Sequence, residues 1–139
     1  MSLVFFKTAP TPQQFRDFRS QCGWGNIDLN TAAKALQNSL IVISAHNDDE
    51  LIGIVRAVGD ASLNIYIQDL IVQEDHRGQK IGQRLMQNIL AELSAVYPQA
   101  DIGLMSAQGK EAFYKQFGFE IRPSKEYGAG MMKYVKPND

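Results

Sequence analysis

Between Leu63 and Leu93 the apolar residues change period twice. In "LNIYIQDLIV" they fall on Leu63, Ile65 and Ile67, the period of two that one face of a strand requires. The pattern then slips: Gln68 and Asp69 are polar, and Leu70, Ile71 and Val72 are all apolar. From Lys80 the spacing becomes four, through Ile81, Leu85, Ile89 and Leu93, which a helix alone aligns on one side. The pattern therefore predicts a strand, a turn and a long amphipathic helix in succession. A slip in a two-residue period predicts a bulge or splay, a device common beside active sites.

The rest of the chain supplies elements for that unit to pack against. "VFFKT" reads as a first strand ended by "APTP". Thr11 caps a helix with Pro12 in its first turn and Phe15, Phe18 and Cys22 as its inner stripe. "GWGN" breaks that helix, and "DLNTAAKALQNS" forms a second with Leu29, Ala33 and Leu36 on one face. "LIVISA" and "ELIGIVRAVG" are strands joined by the polar turn "HNDD", a hairpin signal. "ADIGLMSA" is a strand, "GKEAFYKQF" a short helix, and "FEIRP" and "GMMKYVK" two closing strands. The expectation is one domain over residues 1–139, of α/β class (an α+β mixed sheet) covered by helices.

Composition removes several functions. Lys and Arg number 14 against 15 Asp and Glu, so no global field attracts nucleic acid or an anionic membrane surface. Cys22 is the only cysteine, which excludes a disulfide framework and a cysteine metal cluster. His46 and His76 lie outside any zinc spacing, and no metal is expected. The opening "MSLVFFKTAP" is too short and wrongly flanked for a secretory signal, and no long apolar run follows. A reduced, cytoplasmic setting is the expectation, with a homodimer left open.

The turn "DHRGQKIGQRLM" places two glycines and three cations where the helix begins. A helix N-terminus carries unpaired N–H groups and a partial positive charge, so it suits an anion. Gly78 lets the backbone approach closely, Gly82 keeps the first turn free of a side chain, and Arg77, Lys80 and Arg84 offer ionic contacts to phosphate. The other reading is a tight strand-to-helix turn with solvated cations. The segment is neither the nucleotide-binding "GxxxxGK[ST]" nor the dinucleotide "GxGxxG".

"LIVQEDHRGQKIGQRLM" resembles motif A of the GNAT superfamily of N-acetyltransferases, Gln/Arg-x-x-Gly-x-Gly/Ala. Arg77 and Gly82 fit its ends, and Lys80 stands where the inner glycine is usual. "AFYKQFGFEI" is similar to the family's second signature, a helix ending in Tyr-x-x-x-Gly-Phe and leading into a strand. The resemblance covers nearly the whole chain and is weakest before Leu40. It implies the GNAT fold: a central, largely antiparallel sheet with a splayed strand pair, flanked by helices. It also implies acetyl-CoA as cosubstrate, with its pyrophosphate on the amides of Gly78, Gln79, Lys80, Ile81, Gly82 and Gln83. The pantetheine arm would pair with the backbone of Leu70, Ile71 and Val72. No asparagine precedes the tyrosine helix where the family often has one, so Gln108 or a backbone group near Gly109 takes that contact.

Acetyl transfer needs a neutral amine, a polarised carbonyl and a proton for the departing thiolate. The resemblance puts Tyr114 near the sulfur as the acid; without it, Tyr114 is an ordinary aromatic between Phe113 and Phe117. A phenol of pKa ~10 protonates a thiolate of conjugate pKa ~8.5 uphill by only ~2 kcal/mol. For the base, Asp69 sits at the slip, and a carboxylate among Ile67 and Ile71 is expected to hold its proton more tightly than usual. Its alternative role is to accept hydrogen bonds from backbone freed by the bulge. Glu111, His46 and a water chain are fallbacks. A backbone N–H of Leu70 or Val72 is the oxyanion donor.

The family's acceptor lies between the first two helices and the sheet. Trp24, between two glycines, is there either a packing anchor or a mobile wall. Arg56, in an apolar strand, needs an anion or carbonyl, which is Asp60 or a carboxylate on the substrate. Tyr66 lies on the neighbouring strand, and Tyr127 in a glycine-rich loop either closes over the pocket or sits in a plain connection. The expected activity is acetylation of a primary amine on a small molecule. Alternatives are a protein N-terminal or lysine acetyltransferase and a noncatalytic acyl-CoA-binding sensor.

Overall fold

A computed structural model describes residues 2–135. The chain forms two compact units that divide after Met105. The first is built on a five-stranded sheet in chain order: β1 (Leu3–Phe6), β2 (Ile41–Asn47), β3 (Glu50–Gly59), β4 (Asn64–Val72) and β5 (Asp101–Leu104). The first three neighbouring pairs are antiparallel; β4 and β5 run parallel. Asn47 pairs with Glu50, so β2 and β3 are joined by Asp48 and Asp49, with Asp48 in the left-handed region at φ 51°. That is the hairpin expected from "HNDD".

Helix α1 (Pro12–Gln21) begins with a capping box. The Thr11 hydroxyl accepts the Gln14 N–H at 3.1 Å, and the Gln14 side chain accepts the Thr11 N–H at 2.9 Å. Helix α2 (Leu29–Gln37) is capped by Asp28, which accepts the Thr31 N–H at 2.7 Å. Its inner face is Ala32 and Leu36, with Ala35 packed alongside, rather than Leu29, Ala33 and Leu36. Ala32 and Leu36 sit one turn apart on a single row, while Leu29, in the first turn, stays 42% exposed. These helices enclose Phe15, Phe18, Ala32 and Leu36 with Val42, Ile54 and Ile71 of the sheet.

Helix α3 (Ile81–Val96) connects β4 to β5 and packs against β2, β3 and β4. Ile81, Leu85, Ile89 and Leu93, the residues spaced by four, are all buried. A side chain at Gly53 would meet Leu85 Cδ1 at 3.0 Å and Ile71 O at 3.3 Å, so glycine there lets helix and sheet close up.

In the second unit, α4 (Glu111–Lys115) carries a small aromatic cluster. Phe113 meets Tyr114 and Phe117 edge-on at 5.1 and 5.3 Å, and Tyr114 meets Phe119 at 6.3 Å. The two closing strands expected at 119–123 and 130–136 do not form among the described residues; Lys136 lies outside them. The segment bonds to itself instead. Arg122 Nε donates to Gly128 O at 2.6 Å, and Ser124 N donates to Tyr127 O at 2.8 Å. Pro123 has no N–H to give a ladder.

Candidate active site

The slip read in the sequence is a β-bulge. Arg56 faces Gln68 and Ile54 faces Ile71, so Val55 stands opposite both Asp69 and Leu70. Asp69 takes up the extra residue in the left-handed region, at φ 56°, which aspartate enters more readily than most side chains. The bulge exchanges faces. Ile67 pairs with Ala57, which alternates with Gly53 on the α3 side; Ile71 packs into the core under α1 and α2.

Asp69 is turned under those same helices, with no exposed side-chain surface. Arg19, from the last turn of α1, pairs with Oδ1. Arg56 Nε donates to Oδ2 at 2.9 Å. Arg56 Nη1 also donates to Ser39 Oγ at 3.2 Å, and that hydroxyl donates to Ala35 O at 2.8 Å. Arg56 and Arg19 lie over the Phe15 ring at 5.4 and 5.8 Å. Such a carboxylate is anchored by two cations, and loss of one partner from a buried pair typically costs about 3–5 kcal/mol.

Two expectations change here. The partner of Arg56 is Asp69, not Asp60, whose carboxylate accepts the N–H groups of Ser62, Leu63 and Asn64 at 2.8 to 3.0 Å. Nor does Asp69 bond to backbone freed by the bulge; its oxygens go to guanidinium groups. Arg19 and Ser39 were not singled out from the sequence. The signal for Arg19 was its position, one turn after Phe15 on the stripe that α1 buries.

Trp24 follows α1 in a loop where Gly23 and Gly25 have φ of 72° and 81°. It is 43% exposed, and the Arg19 guanidinium lies 5.5 Å from its ring centre. Burial pushes the Cys22 thiol up, opposed by Arg77, with smaller effects from Asp69 and Arg19. Cys22 itself packs against the core cluster under α1 and α2. Tyr66 is half-buried on β4 opposite Val58. His46 is half-buried in β2, edge-on to Phe6 at 5.3 Å.

On its other side β4 has a strand partner over its first half alone. Pairing with β5 runs only from Asn64 opposite Asp101 to Ile67 opposite Leu104, where β5 ends. Beyond that point the strand pair has separated, and Gln68 to Val72 have no strand partner on that side among the described residues. Arg77 Nε donates to Val72 O at 3.2 Å, so this cation braces the turn rather than standing free.

The turn then delivers the chain to α3. A short 3-10 turn (Glu74–His76) leads to Gly78 at φ 81° and Lys80 at φ 63°. Both are left-handed, which accounts for the usual glycine at the position Lys80 occupies. No side chain caps α3, and Ile81, Gly82 and Gln83, in its first turn, have no intrahelical acceptor for their N–H groups. A Cβ at Gly78 would meet nothing within 4 Å. Two left-handed residues, Gly78 and Lys80, leading into a bare helix N-terminus turn backbone donors toward one side, which fits a diphosphate.

In the second unit Tyr114 is half-buried, and burial pushes its hydroxyl above the ordinary value of 10.0. Gln108 is exposed in the turn before α4. Tyr127 is 57% exposed, with the Arg122 guanidinium 5.3 Å from its ring centre.

The family model for the acetyltransferase (GNAT) domain matches residues 7–135. The chain belongs to the GNAT acetyltransferase family. A histone acetyltransferase of Glycine max, TAP1, is 32% identical over 124 residues, covering 77% of this GNAT chain and 52% of the relative. The chain spans about half the length of the curated relatives it matches. The crystal structure of a probable acetyltransferase from methicillin-resistant Staphylococcus aureus superposes with a TM-score of 0.83 at 25% identity, over 95% of this chain and 99% of that one. An Arabidopsis thaliana structure in complex with the bisubstrate analogue CoA-Ac-MVNAL shares the GNAT fold, with a TM-score of 0.71 at 22% identity over 87% and 85% of the two chains.

Proposed function

We propose that this protein is an acetyl-CoA-dependent N-acetyltransferase that acetylates a primary amine of a small molecule. The observation that carries the reading is the conjunction, within one unit, of an open strand edge at a bulge and a bare left-handed cradle at the next helix. An amide-bearing arm needs the first, and a diphosphate needs the second. Bound acetyl-CoA supplies the activated acetyl group. Gly78 to Gln83 would hold its diphosphate through N–H groups, with Lys80 adding charge. Leu70, Ile71 and Val72 would hold the arm, and Gln108 one of its amides.

The acceptor amine attacks the thioester carbonyl, the C–S bond breaks, the thiolate takes the Tyr114 proton, and the proton shed by the new amide nitrogen returns through water to the tyrosinate. The Tyr114 phenol is protonated at neutral pH, as a general acid requires; burial raises its pKa and so makes the transfer to the thiolate more uphill than from a free phenol. The backbone N–H of Leu70 or Val72 faces the developing oxyanion. An alkylammonium of pKa ~10.4 must first lose a proton, and water is the carrier favoured by the fully covered Asp69 carboxylate. Within the first unit, Trp24 and Tyr66 would be the side chains that face the acceptor. Arg56 leaves that group, since Asp69 and Ser39 already occupy it.

A second reading, acetylation of a lysine or a protein N-terminus, draws on the histone acetyltransferase relative. The near balance of 14 cations and 15 acids gives no general attraction for a basic tail, which favours the small-molecule reading. The test is thiol release from acetyl-CoA over a panel of small amines, histone tail peptides and free-N-terminal peptides. Turnover with small amines supports the proposal, and turnover with peptides alone replaces it by the second reading. Acetyl-CoA binding without turnover on any of them makes the protein a sensor.

A further inference from the structure

We propose that Asp69 is a positioning residue: its carboxylate sets the hydrogen-bonding register of the open β4 edge. The inference rests on the acetyl-CoA reading above.

The residue at the slip of a β4-like strand, beside apolar neighbours, invites the role of general base. Its surroundings argue otherwise. A base must come within about 2.6–3.2 Å of the proton it removes, directly or through one water. The Asp69 side chain has no exposed surface, and its oxygens are taken by Arg19 and Arg56.

Those partners come from different directions. Arg19 belongs to α1 and Arg56 to β3, and Arg56 is tied through Ser39 to the Ala35 carbonyl of α2. Four elements thus meet at one carboxylate, on the residue whose left-handed backbone makes the bulge. Side chains and hydrogen-bonding groups both alternate along a strand. Removing the extra residue from the register would carry Ile71 to the α3 face and turn the N–H and C=O groups of residues 70–72 to the opposite edges. The two ion pairs hold the bulge in place, and with it the donors and acceptors that the edge offers to a ligand.

The experiment compares wild type, Asp69→Asn, Asp69→Ala and Arg56→Lys, each kept below its melting temperature. Acetyl-CoA affinity is measured by calorimetry, and protection of the Leu70–Val72 amides by hydrogen exchange with and without acetyl-CoA. Asparagine tolerates the left-handed region and keeps one acceptor oxygen. Asp69→Asn should therefore weaken binding about tenfold, and Asp69→Ala about a hundredfold, the range expected for losing hydrogen bonds to charged groups. Ligand-induced protection of residues 70–72 should fall in the same order. Should Asp69→Ala fail to fold, Asp69→Asn and Arg56→Lys still decide the matter. Wild-type affinity and protection in the Asp69→Asn protein would overturn the positioning role and leave the cofactor reading standing. Wild-type protein that does not bind acetyl-CoA would overturn both.

Discussion

Ile67 and Ile71, four residues apart on β4, lie on opposite faces of the sheet. In a regular strand they would share a face. The exchange happens at Asp69, where one extra residue is inserted and the strand pair β4–β5 has just ended. One short stretch of β4 thus marks both where Ile71 is turned under α1 and α2 and where the strand loses its β5 partner.

Tyr114→Phe removes a hydroxyl and almost no volume, so the edge-on contacts of the ring with Phe113 and Phe119 should survive. If the hydroxyl protonates the leaving thiolate, kcat should fall by roughly 10²–10⁴. The acetyl-CoA dissociation constant should be unchanged, because the loss is confined to the transition state. Steady-state kinetics alongside calorimetry separates the two; near-normal turnover would return Tyr114 to the role of a packed aromatic.

Gly82→Asp places a carboxylate in the first turn of α3. There it should favour the helix by ~0.3–1 kcal/mol through the macrodipole. It should also repel a diphosphate and weaken acetyl-CoA binding about tenfold or more, as like charges ~4 Å apart near a protein surface do. Melting temperature and affinity should thus move in opposite senses. Unaltered affinity would remove the cradle from consideration.

Lys80→Gly tests whether the lysine is tolerated or required. Its φ of 63° is strained for a side-chain-bearing residue, so glycine should stabilise the protein by about 0.5–1 kcal/mol in urea titrations. The N–H donor remains and one cation is lost. Acetyl-CoA binding should persist at low salt with a shallower dependence on ionic strength. A variant no more stable than wild type would mean that Lys80 makes contacts offsetting its strain.

Acid stability should depend on Asp28 and Asp60. Hydrogen bonds from Thr31 to the first, and from Asn64, Leu63 and Ser62 to the second, hold both carboxyls below the ordinary 3.8. A depressed folded pKa favours folding above the unfolded value, and that contribution disappears as pH falls through the folded value. Melting temperature should therefore drop below pH 3.8 more steeply in wild type than in the Asp28→Asn, Asp60→Asn double variant. Parallel curves would assign acid unfolding to other groups.

What could be read from the sequence was whatever repeats locally. Ile81 to Leu93 declare α3 by spacing, Thr11 and Pro12 declare the start of α1, and the slip at Gln68–Asp69 declares the bulge. What the bulge holds could not be read. Arg19 and Arg56 lie 50 and 13 residues from Asp69. No periodicity relates side chains that meet only after three elements have packed. Asp60 was the nearer partner for Arg56 along the chain, but three N–H groups of its own turn claim it first. The closing segments failed for the opposite reason: 119–123 and 130–136 carry β-forming residues, but propensity does not specify a strand unless a partner takes up its hydrogen bonds.

Trp24 is the only tryptophan in the chain, and it lies against Arg19, one of the two cations on Asp69. The protein accordingly carries its own optical reporter. An indole 43% open to solvent with a guanidinium over one face changes its emission when either neighbour moves. A ligand that displaces Arg19 or covers Trp24 should therefore register as a change in ultraviolet fluorescence, with no label or coupled enzyme, whichever amine is tried.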